Sequence, residues 1–100
     1  MPHICYCIDA PDSAEKRQAT MAAHFAYVEQ IIDEIEVAGP LRDSAADSPQ
    51  GSCIIYRSND RETALRLLHA DPYYQAGIWQ EVRCHHFNAA AGNWVGGTAW

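Results

Sequence analysis

"SCIIYRSNDRETALRLLHADPYYQAGIWQEVRCHHF" occupies residues 52–87 and reads as strand, helix, strand. Its first seven residues, 52–58, are rich in the β-branched and aromatic types that favour an extended chain. Ser58-Asn59-Asp60 then offers capping side chains for a helix that begins at "DRET", with Glu62 in its first turn. Ala64, Leu67 and Leu68 fall on one side of that helix and predict its buried face. Asp71-Pro72 ends it, because the residue before a proline avoids the helical region. The alternating run over residues 77–87 predicts the strand that follows.

The N-terminal half repeats the order. Residues 3–9, "HICYCID", alternate Ile4, Tyr6 and Ile8 against His3, Cys5 and Cys7, which predicts a strand. Pro11 and Asp12-Ser13 are capping candidates for a helix that starts near Ala14. Met21, Phe25, Val28, Ile32 and Ile35 recur at three- and four-residue steps, so the helix is expected to run on, bent or broken near Thr20, until Gly39-Pro40 stops it. Residues 37–43 predict a short, poorly regular strand, and 44–51 a loop punctuated by Pro49 and Gly51. The sum is β-α-β-β-α-β, an α+β ferredoxin-like fold with a four-stranded antiparallel sheet and two helices on one face. The uncovered sheet face predicts a homodimer. Residues 1–88 form the domain; residues 89–100, with two tryptophans, form a tail expected to pack on the sheet or on the dimer partner.

At 100 residues the chain is one domain. A net charge of −6 and a pI near 5.1 argue against nucleic acid, since a phosphate backbone would be repelled. No apolar run approaches the ~20 residues that span a bilayer, and the N-terminus lacks the basic start of a signal peptide, so the expectation is a cytoplasmic protein with no membrane partner. Cys5 and Cys7 share one face of a strand, and no C-x-x-C pair accompanies them. The four cysteines therefore read as small buried hydrophobes, with no metal site expected. No dinucleotide or nucleotide fingerprint is present, so no cofactor is expected.

The segments "EKRQATMAAHFAYVEQI", "AGPL", "GSCIIY" and "ADPYYQAGIWQEV" together resemble the YciI-like (YCII) family of the dimeric α/β-barrel group, over a span reaching to about Phe87. The resemblance implies a ferredoxin-like dimer and a His–Asp active site formed by His24 and by Asp71 of "DPY". It also implies a fold similar to muconolactone isomerases, and one branch of the family is associated with dehydrochlorination of a chlorinated hydroxyquinone. Family members often carry an arginine three residues before the histidine; this chain has Met21 there. Arg17 stands as the remaining candidate for an anionic-substrate clamp.

Each candidate has a structural and a chemical reading. His24 is a half-buried helix histidine or a general base, imidazole being the side chain that titrates nearest neutral pH. Asp71 is a turn initiator, or a carboxylate held still by Pro72 so as to orient His24. Of the paired tyrosines, one packs and one faces a pocket; Tyr73, within the DPY motif, is the choice for the site. Ser52 follows Gly51 at a strand start and offers a hydroxyl to a substrate oxygen, without the G-x-S-x-G context of a nucleophile. Gly39 and Pro40 are a helix stop with a pocket-lining role as the alternative. His85 and His86 are adjacent on a strand, point to opposite faces and cannot chelate one ion together. Two functions follow. One is a cofactor-independent lyase or isomerase, moving a proton on a small cyclic or carboxylated metabolite. The other is a non-catalytic dimeric module that binds a small molecule.

Overall fold

A computed structural model describes all residues, Met1–Trp100. In chain order the elements are β1 (His3–Asp9), α1 (Ala14–Gln30), a 3₁₀ turn (Ile32–Glu34), β2 (Ile35–Leu41), β3 (Gly51–Tyr56), α2 (Arg61–His69), α3 (Pro72–Gln75) and β4 (Trp79–His86). A small hairpin of β5 (Ala91–Gly92) and β6 (Gly97–Thr98) closes the chain. The main sheet has the order β2-β3-β1-β4 with every pair antiparallel, which is the α+β ferredoxin-like arrangement.

Alternation on the strands divides the sheet into two unlike faces. His3, Cys5 and Cys7 of β1, and Ser52, Ile54 and Tyr56 of β3, point towards the helices and are buried. Cys84 pairs with Cys5 across β1 and β4, so the thiols sit together in the core beneath α2. Burial pushes the Cys5 thiol far up and the Cys7 thiol to about 12. The opposite face carries Ile4, Ile8, Val37 and Ile55, half-buried, and Tyr6, exposed. No element of the chain covers that face.

Four sequence expectations need correction. The first helix ends at Gln30, not at Gly39-Pro40, and α1 runs unbroken through Thr20. Of the two residues that continue the apolar spacing past its end, Ile35 lines the same cavity as Met21 and Val28 from β2, whereas Ile32 is exposed. Gly39 and Pro40 lie inside β2, opposite Cys53 and Ser52. The helix α3 is an addition to the expected order. Asp71 is its N-cap and Pro72 its first residue, and Gly77 closes it in the left-handed conformation (φ 74°). The Ile78 and Gly77 N–H groups donate to the carbonyls of Tyr73 and Tyr74, the paired bonds of a Schellman stop. At the start of α1, Ser13 occupies the N-cap position without a capping bond; its hydroxyl donates to the Ala10 carbonyl at 2.6 Å.

The tail forms its own hairpin, β5 against β6, with Trp94 and Trp100 exposed. No helix is long and apolar enough to cross a membrane.

Candidate active site

The site begins with the short helix α3. Its N-cap is a carboxylate, and Asp71 Oδ1 accepts the Tyr73 N–H at 2.9 Å. The same oxygen lies 2.7 Å from His24 Nδ1, brought there from the middle of α1. Asp71 is 1% exposed, so its charge is shielded from water and its position is fixed twice, by Pro72 and by the cap. His24 stacks on the Tyr73 ring with centroids 3.8 Å apart and planes 6° from parallel. Trp79 meets both rings edge-on. The imidazole is thereby held in plane and in rotation. Its Nε2 makes no hydrogen bond within the chain, and His24 is one of the residues that line the adjoining cavity.

That cavity, of about 310 Å³, lies between α1 and the β2–β3 half of the sheet. Met21, Phe25, Val28, Ile35 and Ile54 give it apolar walls, and Ser52, Arg17 and Tyr73 join His24 at its polar inner end. Gly39 and Pro40 also line it. Its size is at the small end of ligand sites and suits a single-ring molecule.

Arg17 is the one buried residue of α1. Its Nε and Nη2 donate to the two carboxylate oxygens of Asp9 at 2.6 and 3.0 Å, a two-pronged pair. Nη2 also reaches the Gly51 carbonyl (2.9 Å) and Ser52 Oγ (3.1 Å). Because Ser52 accepts from Arg17 and has no acceptor of its own in the chain, its O–H is left to donate into the cavity. The guanidinium lies 5.0 Å above the Tyr73 ring centre. Burial raises the Tyr73 phenol, and the Arg17 charge offsets part of that rise. Gly51 is required beside Ser52, since a Cβ there would collide with the Cys7 carbonyl. Tyr27 ties α1 to α2 by donating to the Leu67 carbonyl at 2.7 Å.

His24, Asp71, Tyr73, Ser52 and Arg17, proposed from separate stretches of sequence, thus meet at one end of one cavity. Tyr74 turns away, exposed, towards His69. His85 and His86 lie elsewhere on β4, where His86 packs against His3. Sequence reasoning missed Asp9, the anchor of Arg17, and Arg42, at the cavity's mouth. Nothing periodic links Asp9 to Arg17; the pairing depends on a strand end meeting the first turn of a helix.

The fold and the site define a small α+β protein of split βαβ type, with a histidine paired to a carboxylate beside an apolar cavity. The YCII-related domain profile matches residues 1–88, and the chain belongs to that family. Protein YciI of Escherichia coli O6:H1 is 33% identical over 94 residues, covering 87% of this chain and 96% of that protein. An uncharacterized protein of Haemophilus influenzae is 28% identical over 89 residues, 82% of this chain and 91% of the relative. Among solved structures, the chain is similar to the 5-chloro-2-hydroxyhydroquinone dehydrochlorinase TftG of Burkholderia phenoliruptrix AC1100, in complex with 2,5-dihydroxybenzoquinone. That likeness has a TM-score of 0.81 at 25% identity, over 93% of this chain and 97% of the other.

Proposed function

We propose that the protein is a cofactor-independent enzyme of lyase or isomerase type that moves a proton on a small cyclic substrate. The observation that carries this reading is the 2.7 Å contact between His24 Nδ1 and the buried Asp71, in a histidine that lines the cavity and whose Nε2 has no partner within the chain. In this reading Nε2 takes a proton from a substrate C–H or O–H. Asp71 holds the imidazole in one orientation and offsets the positive charge that develops on it. Ser52 donates to the substrate oxygen on which negative charge collects, and Arg17 fixes Ser52. In an elimination, the electron pair of the broken bond to hydrogen forms a new double bond as the leaving group departs with its own pair. In an isomerisation, His24 returns the proton to a different atom.

The likeness to a dehydrochlorinase with a bound dihydroxyquinone supports a small oxygenated ring as the occupant. We also propose that two copies pack through the uncovered sheet face, burying Ile4, Tyr6, Ile8 and Ile55.

The test is chloride release from a chlorinated hydroxyhydroquinone. Proton transfer by a positioned base is worth roughly 10²–10⁴ in rate, so His24→Ala is expected to lose that much turnover while still binding 2,5-dihydroxybenzoquinone. Turnover unaffected by His24→Ala contradicts the reading. Binding without turnover in both proteins instead favours a small-molecule-binding module.

A further inference from the structure

The cavity has two polar ends, and only the one at its mouth carries a cation without a carboxylate partner. At the inner end Arg17 is matched by Asp9, and Asp71 faces His24. At the mouth stands Arg42, the residue after β2. Ala38, Pro40 and Arg42 alternate along that backbone, and all three line the cavity. Arg42 is exposed and forms no salt bridge within the chain. Its acidic neighbour Asp43 is bonded instead by Gln50 Nε2 at 3.1 Å. A lone cation at the entrance of an apolar cleft is conspicuous in a protein of net charge −6. Between the two ends the walls are apolar and aromatic, and the volume of about 310 Å³ suits a single ring.

We propose that Arg42 is a specificity residue that selects ring substrates bearing an anionic substituent, a carboxylate above all. The ring would lie between Phe25 and Ile54, with its reacting edge towards His24 and Ser52 and its carboxylate at the mouth against Arg42. This deepens the proton-transfer reading by naming the substrate class, and rests on it for the location of the reacting edge. The guanidinium matches a carboxylate in two-pronged geometry, and its exposure makes the attraction sensitive to salt. A ring without the charge fills the same walls and loses only that contact.

Calorimetric binding of 2,5-dihydroxybenzoate and of its neutral counterpart 2,5-dihydroxybenzamide tests this in the full-length protein, in Arg42→Gln and in Arg42→Lys. Arg42→Gln is expected to weaken benzoate binding about three- to tenfold at low salt, leaving benzamide binding unchanged. The difference should shrink in high salt, and Arg42→Lys should recover part of it. Equal effects on the two probes, no effect on either, or failure of wild-type protein to bind the benzoate each overturn the proposal. Because binding is the readout, the result is independent of turnover. Loss of turnover in His24→Ala with no preference between probes would sustain proton transfer and remove Arg42's role. The reverse pattern would sustain Arg42 and remove the reaction.

Discussion

The two long helices lie on the same sheet and do opposite things with it. Helix α2 buries Ala64 and Leu68 completely and closes over the thiols and Ile78. Helix α1 is nearly twice as long and buries a single residue, an arginine. Its apolar side chains stand off from the sheet, so that Phe25 remains 54% exposed above a cavity. Most of the buried polar side chains gather at that end: Ser13, Arg17, Ser52 and Asp71. One half of the helical layer is a core, and the other is a lined hollow held open by polar contacts. The contrast explains how a domain of this size combines stability with a pre-formed site.

The largest effect expected on the α1 side comes from Asp9→Ala. It leaves the Arg17 guanidinium buried without its partner, and breaking such a pair costs about 3–5 kcal/mol. Denaturant unfolding measures it; a loss below about 1 kcal/mol would mean that α1 is held by something other than this pair. Next is the α2 side, where Leu68→Ala opens a void in a fully packed region and should cost about 2–5 kcal/mol. In α1, by contrast, Phe25→Ala should change stability by no more than about 0.5 kcal/mol, as at a surface site, and act on ligand binding instead. Equal losses in those two variants would erase the distinction between core and hollow.

A smaller effect concerns alkaline pH. Cys7 has its folded pKa raised from 9.0 to about 12, first by burial and then by the charge of Asp71. Burial moves Tyr56 in the same direction. The folded state therefore keeps protons that the unfolded state releases. The stability involved is fully present below about pH 9 and declines as pH rises towards 12, by at most about 1.4 kcal/mol per pH unit for each group. Midpoints of urea unfolding measured across that range should fall steadily. A flat profile would show that the thiols are not sealed in the core.

The sequence showed the α2 half almost completely. Residues 52–87 carry β-branched strands, an Asp60 cap that accepts the Thr63 N–H, and a helix with one apolar side. In the α1 half periodicity misled at one point only. Ile32 and Ile35 continue the helical spacing of Met21, Phe25 and Val28, while the chain has already left the helix at Ile31. No glycine or proline marks that exit, so spacing alone could not locate it. Helix α3 was signalled by Asp71-Pro72 and Gly77, but one turn of helix has too few residues to show a period. His24, Asp71 and Tyr73 could be named because the family resemblance carries them on short motifs. Asp9 and Arg42 could not, since their roles arise where separate elements meet.

Central to the proposed reaction is an imidazole held in the hollow beneath α1 and oriented for proton transfer. Nitrogen-15 NMR of histidine-labelled protein reads this directly, through the protonation of each ring nitrogen of His24 in mildly alkaline solution. The expected result is a proton on Nδ1, facing Asp71, and a bare Nε2, with that tautomer lost in Asp71→Ala. A proton on Nε2, or the same tautomer with and without Asp71, would contradict it.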